Sequence, residues 1–168
     1  MPSFTSMDEI YKHIEKKMKE ALLDDVTSKT SEIMIEQINE TVYDAYSPNT
    51  NAEDYYHRRQ NEDALGDPSN IGGVMVGNTL EVINATQTNP DIYINHERYD
   101  SQNEGDYLTP IIEYGQGYDF ASENGNAGYE RPRPFISNTR EQLKSTKAHV
   151  IALKNGLKKR GINVQYIL

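Results

Sequence analysis

Apolar residues recur at every fourth position through the first quarter of the chain, with one interruption at Thr30. The series consists of Ile10, Ile14, Met18, Leu22, Val26, Met34, Ile38, Val42 and Tyr46. This spacing predicts a helix over about residues 6–46, and Ser6 with Glu9 forms a capping-box pair at its start.

A strict period of four does not stay on one face of an ideal helix. With 3.6 residues per turn, each step of four drifts by about 40°, so one straight helix cannot turn the whole series to one core. Either the helix breaks near residues 24–31, or its two halves bury against different partners. We favour an N-terminal half, about residues 6–23, that contacts another subunit. The second half, about residues 28–46, then packs on the domain's own sheet.

The middle of the chain alternates short apolar stretches with turn residues. Residues 74–86 are typical of strand, with a hairpin about Gly77–Asn78. Residues 92–95 predict a short strand. Residues 107–120 are another strand candidate, and glycines mark its end.

The C-terminal quarter predicts one helix and one strand. Asn138 and Glu141 form a second capping-box-like pair, and apolar residues at spacings of three and four indicate a helix over about residues 138–160. Gly161 suits the position just past a helix end. Residues 162–168 alternate apolar and polar side chains, as a terminal strand does.

Together these elements predict an α+β fold. It has a long N-terminal helix, broken or with two differently buried halves, and a small antiparallel β-sheet. A C-terminal helix packs on the sheet, and a short terminal strand follows. We expect residues 1–27 to be an N-terminal helical extension and residues 28–168 to be a single domain.

Charge divides the chain unevenly. The net charge is −9, yet residues 131–168 hold nine basic residues and one acidic residue, a net of +8. The first 130 residues hold 8 basic and 25 acidic residues, a net of −17. Either the basic end meets a charged partner, or it reflects the preference of helix C-termini for Lys and Arg. The overall acidity argues against a free nucleic-acid-binding module.

Composition narrows the chemistry. The chain has no cysteine, which excludes disulfides, thiolate metal sites and cysteine nucleophiles. Hydrophobic residues make up 36%, enough for a modest core, and the 12 tyrosines suit half-buried positions and interfaces. No long apolar run predicts a signal peptide or a membrane span. No motif calls for an enzyme, so we expect neither catalysis nor a cofactor.

Two other functions stay open. The acidic loops around Asp100 and Asp106 suggest a small metal- or ligand-binding domain, for example for calcium, although they lack the full ligand spacing of a calcium loop. Abundant carboxylates also allow a hydrolase of cell-wall sugars. The scattered histidines have no zinc-site spacing.

Three stretches in order carry a family resemblance. They are YYHRRQNEDALGDPSNI at 55–71, YLTPIIEYGQG at 107–117 and RPRPFISNTREQLKSTKAHVIALKNGLKKRGINV at 131–164. The order resembles the head–tail joining, or tail-completion (neck), proteins of long-tailed bacteriophages and prophages, over roughly residues 20–164. The family's central strand usually continues Glu-x-Gly-Thr, whereas Gln116 follows Gly115 here.

The resemblance implies a structural protein of the virion neck, made in the cytoplasm of the host bacterium. It implies a ring of six or twelve copies that joins the portal or adaptor to the tail-terminator or tail-tube proteins. DNA would pass through the lumen without specific binding, and no membrane would be involved. The acidic body of one subunit would then face the basic C-terminal end of its neighbour. Alternatively, the subunits would line an acidic lumen that repels DNA.

We take six residues as candidates for subunit contacts. They are Arg131, Arg133, Phe135, Tyr114, Ile10 and Ile14. The arginines would pair with carboxylates of a neighbour and Phe135 would be an apolar anchor. Alternatively, Phe135 belongs to the core and the arginines are solvated.

Overall fold

The structure is a computed structural model that describes residues 4–44, 64–86, 93–94, 97–98, 108–115 and 131–165. Its helices are α1 (Met7–Ala21), α2 (Thr27–Ile38), α3 (Leu108–Tyr114), α4 (Phe135–Thr146) and α5 (Ala148–Lys159). Its strands are β1 (Ile71–Val76), β2 (Thr79–Asn84), β3 (Tyr93–Ile94) and β4 (Glu97–Arg98). The α+β class is therefore confirmed.

The N-terminal helix does not break. The five-residue π-helical segments Leu22–Val26 and Asn39–Tyr43, here π-turn 1 and π-turn 2, continue α1 and α2 without interruption. Asp44 N–H donates to the carbonyl oxygen of Asn39, five residues back, at 2.8 Å. At the start, the Ser6 hydroxyl accepts from Glu9 N–H, so the predicted N-cap is confirmed.

These wider turns explain how a period of four can serve one core. Val26, Thr30, Met34, Ile38 and Val42 are all buried, although a plain α-helix would rotate such a series by about 160°. A π-turn closes i→i+5 rather than i→i+4 bonds and so has more residues per turn. Between Ile38 and Val42 it therefore counters the drift. Along the rest of the helix the apolar side chains still change direction, and different elements pack on them at successive positions.

The predicted hairpin is confirmed. β1 and β2 pair antiparallel, with Val76 opposite Thr79 beside the two-residue turn. Gly77 has φ +63°, whereas Asn78 does not have a positive φ, as in a type II′ turn. β3 and β4 form a second antiparallel pair.

The strand prediction for residues 107–120 is wrong over Leu108–Tyr114, which form α3. A short apolar run fits either structure, and here Leu108 and Ile112 share one helical face toward the core. Pro110 lies in the first turn, where its missing N–H costs little. Gly115, with φ +65°, follows the last residue of the helix.

The single C-terminal helix that we predicted is two helices. Lys147 separates α4 from α5 and has φ +57°. The hydroxyl of Thr146 donates to the Gln142 carbonyl at 2.6 Å and accepts from Ala148 N–H at 3.3 Å. Such a bond to a nearby carbonyl competes with the helix ladder, and the same oxygen then caps the next helix.

Both C-terminal helices pack mainly on the N-terminal helix rather than on the sheet, which corrects the predicted packing. α4 lies against α2, whereas α5 lies against π-turn 1 and α1. The core gathers residues from the N-terminal helix, the segment before the hairpin, the hairpin, α3 and α4: Met34, Ile38, Val42, Leu65, Ile71, Ile112 and Phe135.

The chain after α5 also differs from the prediction. Gly161, with φ +82°, follows the last turn as expected. Residues 162–165 form no strand, and the rest of the predicted terminal strand lies outside the described residues. The division of the chain at residue 27 stays a prediction.

Gly156 allows the closest approach between α5 and π-turn 1. A Cβ atom at this position would lie 2.5 Å from Asp25 Oδ2, and Lys159 and Arg160 both bond that carboxylate. The side chain of Asp25 therefore cannot move aside without losing both bonds.

We therefore expect Gly156→Ala to destabilise the protein by about 1–3 kcal/mol. Elsewhere in a helix the same change stabilises by about 1 kcal/mol. Chemical denaturation measures the difference, and Asn155→Ala, on the exposed neighbour, is the matched control. A Gly156→Ala protein as stable as the control would contradict the close contact.

Candidate interaction surface

The proline-containing segment 131–134 contacts α3 through Arg133, just before α4 begins. Arg133 N–H donates to the carbonyl oxygen of Ile112 at 3.0 Å. One residue further along α3, the buried carboxylate of Glu113 accepts from the N–H groups of Ile136 and Ser137 at 2.8 and 3.1 Å, and from the Ser137 hydroxyl at 2.6 Å.

Glu113 therefore caps α4 from a different element. The first N–H groups of a helix have no partner within the helix, and a carboxylate there also interacts favourably with the helix dipole. This cap explains why α4 begins at Phe135 rather than after Asn138, so the predicted Asn138–Glu141 cap is wrong. Sequence reasoning missed Glu113 because this capping residue lies 23 residues before Ile136, whose N–H it accepts from.

The structure brings four of the six candidate contact residues to this corner. Arg131 is exposed, Tyr114 is 63% exposed, and Arg133 is partly buried. Phe135 is fully buried in the core. Its ring has no surface left for a neighbour, so the core alternative describes it.

The other two candidates lie on a separate element, α1. Ile10 is partly buried, whereas Ile14 is 37% exposed. Ile14 belongs to a row of exposed apolar residues at spacings of three and four, here the apolar stripe: Met7, Tyr11, Ile14 and Met18. Residues so spaced share one helix face, and no described element covers this face.

A cluster of ion pairs fixes the end of α5 to π-turn 1. Arg160 Nη2 lies 2.5 Å from Asp24 Oδ2, and its Nη1 contacts Asp25 Oδ2. Lys159 Nζ lies 2.8 Å from Asp25 Oδ1, and Arg160 also donates to the main-chain oxygen of Glu20 at 3.2 Å. The hydrogen bond from Lys159, with the bond and charge of Arg160, lowers the pKa of the Asp25 carboxyl.

Part of the uneven charge is therefore neutralised within one chain. Lys159 and Arg160 belong to the basic end, and their partners belong to the acidic first part. The sequence shows the imbalance but not this pairing, because about 135 residues separate the partners.

Side chains that could bind a metal ion are not gathered in the described part of the chain. No group of three His, Asp or Glu residues there is placed to hold a metal ion. The acidic loops around Asp100 and Asp106 lie outside the described residues. His13 packs on Phe4 with ring centroids 5.1 Å apart. Within the described ranges, no helix has both the length and the apolar character needed to cross a membrane.

These features define a small α+β protein in which the hairpin, α4 and α5 pack along one long N-terminal helix. The first half of this helix, α1, presents the apolar stripe. The YomN family model matches residues 6–159, and the chain belongs to this family. The SPbeta prophage-derived uncharacterized protein YomN of Bacillus subtilis (strain 168) is 29% identical over 163 residues, covering 93% of this chain and 98% of the relative. No solved structure matches.

We expect Glu113→Ala to destabilise the protein by about 1–3 kcal/mol, because it leaves the first N–H groups of α4 without their acceptor. Glu113→Gln keeps one acceptor oxygen, so it should lower the free energy of unfolding less than Glu113→Ala does. Thermal and chemical denaturation measure both losses. Glu141→Ala, an exposed carboxylate of α4, is the matched control and should change the free energy of unfolding little. Equal effects of Glu113→Ala and Glu141→Ala would contradict the cap.

The ion pairs of Asp25 indicate that the stability of the fold depends on pH. Because the pKa of Asp25 is lower in the folded chain than in the unfolded chain, its contribution to stability is present above about pH 4 and is lost as pH falls through the folded pKa. Lys159→Gln should lower the free energy of unfolding at pH 7, and the difference from the wild type should shrink at acidic pH. Lys158→Gln, which removes an exposed charge outside the cluster, should show neither effect. Identical pH profiles for the two variants would exclude the Lys159–Asp25 contribution.

Proposed function

We propose that this protein is a structural component of the virion neck of a prophage-encoded, long-tailed phage. In this proposal it forms a ring, of six or twelve copies, between the portal or adaptor and the tail-terminator or tail-tube proteins. DNA passes through the lumen without specific binding. The protein has no catalytic role and needs no cofactor or membrane.

The apolar stripe on α1 is the observation that carries this proposal. Tyr11 is 64% exposed and Met7 is 61% exposed, next to Ile14 and Met18 on the same face. Exposed apolar rows of this kind mark contact surfaces, because leaving them in water forgoes the free energy of burial. A subunit of an assembly completes its burial against its neighbours, as we expected for the N-terminal half-helix.

Two further points support the proposal. The relative in Bacillus subtilis is described as prophage-derived, which fits a phage origin for this chain. The neck resemblance rests on motifs that include the corner of α3 and α4, where Tyr114 and Arg131 are exposed beside the Glu113 cap.

Particles from an induced lysogen that carries this gene test the proposal. Deletion of the gene should give filled heads and separate tails by negative-stain electron microscopy. A Met7→Asp/Tyr11→Asp protein should fold normally, because these side chains are 61% and 64% exposed in the single chain, yet it should fail to restore joined particles. Lys16→Glu makes the same change of net charge on the opposite side of α1, and it should restore them. Complete, joined particles from the deletion strain would contradict the proposed function.

A further inference from the structure

A row of carboxylates follows one side of the second half of the N-terminal helix. Glu32, Glu36, Glu40 and Asp44, here the acidic ladder, are spaced by four residues, and all are exposed. Successive members are about 6 Å apart along the axis. Of these four carboxylates, only Glu32 forms an ion pair with a described residue, with Lys29 at 2.8 Å.

Neutral amides hold the two central carboxylates in place. Gln142 Nε2 donates to Glu36 Oε2 at 3.0 Å, and Gln37 Nε2 donates to Glu40 Oε2 at 3.0 Å. The two amides also bond each other, because Gln37 Nε2 donates to Gln142 Oε1 at 2.9 Å. An amide fixes the direction of a carboxylate without cancelling its charge, so Glu36 and Glu40 are ordered but remain available to a cation.

A set of cations lies on the outer side of the C-terminal helices. The basic face consists of Arg140, Lys144, Lys147, Lys154 and Lys158, and all are exposed. None of them forms an ion pair with a described residue, unlike Lys159 and Arg160. Two pairs of these cations have the same four-residue step as the acidic ladder. One pair is Arg140 and Lys144, and the other is Lys154 and Lys158.

We propose that the basic face of one copy docks on the acidic ladder of a second copy of this chain. The equal step of about 6 Å lets cations and carboxylates meet in register. Opposite charges arranged in this way steer association and fix the orientation of the partners. This contact specifies how neighbours meet in the ring, and to that extent it rests on the proposed function.

A protein surface fits the basic face better than nucleic acid does. Ile151 is 54% exposed between Lys147 and Lys154, and an apolar side chain there suits a protein contact. The net charge of −9 opposes the approach of a phosphate backbone. The acidic ladder supplies the complementary charge on the same molecule.

The contact joins two different surfaces, so it is head-to-tail. Each copy keeps one free acidic ladder and one free basic face after the first contact forms. Such an interface propagates, and it closes into a ring when the rotation between neighbours allows it.

Charge reversal with rescue tests this contact in the purified chain. Lys144→Glu/Lys154→Glu reverses the basic face, and Glu36→Lys/Glu40→Lys reverses the acidic ladder. By analytical ultracentrifugation at low salt, each variant alone should self-associate at least about tenfold more weakly than the wild type, because like charges then face each other. An equal mixture should recover association, because both contacts in the mixture again join opposite charges.

Salt and a matched variant complete the experiment. Association of the wild type should weaken between about 0.05 M and about 0.5 M NaCl. Lys12→Glu/Lys16→Glu, with the same charge change as the basic-face variant but on α1, should associate as the wild type does. A monomeric wild type, unchanged association in the variants, or a mixture without recovery would overturn the inference. So would binding of duplex DNA through the basic face without self-association. Each of these outcomes leaves the particle experiment above as a separate test of the neck function.

Discussion

The described core depends on one helix that keeps its apolar side toward its partners over many turns. The buried residues from Val26 to Val42 are spaced by four, and an uninterrupted α-helix would carry such a row around its axis. The second π-turn, at Asn39–Tyr43, offsets part of this rotation. The hairpin, α4 and α5 then pack along the same helix at successive positions, so the pitch of this helix sets the layout of the fold.

Two polar contacts fix the C-terminal helices on that helix and on α3. Glu113 satisfies the first N–H groups of α4, while Arg160 and Lys159 hold the end of α5 beside Asp25. Both contacts bury or shield charge, so their loss leaves groups unpaired and is costly. Among the described residues, none covers the first half of α1 or the outer sides of α2, α4 and α5.

The sequence predicted correctly those features that are determined by residues close together along the chain. The Ser6 cap, the Gly77–Asn78 hairpin and Gly161 after α5 are all set by neighbouring residues. The errors arose where a distant residue decides the outcome. Glu113 caps α4 so that it begins at Phe135. The helix Leu108–Tyr114 is held by the bond from the Thr109 hydroxyl to the Asn84 carbonyl oxygen in β2, and by the burial of Ile112 in the core. The exposure of Ile14 and the pairing of Arg160 likewise depend on what packs nearby, whereas Phe135 as a core residue was one of the two alternatives that the sequence offered.

We propose that this chain is a ring subunit at the junction of head and tail. Cryo-electron microscopy of purified particles from a lysogen that carries the gene tests it most directly. We expect a ring of six or twelve copies in the neck, with Met7, Tyr11, Ile14 and Met18 covered by another subunit. Particles whose neck is fully occupied by other proteins, with this chain absent, would contradict it.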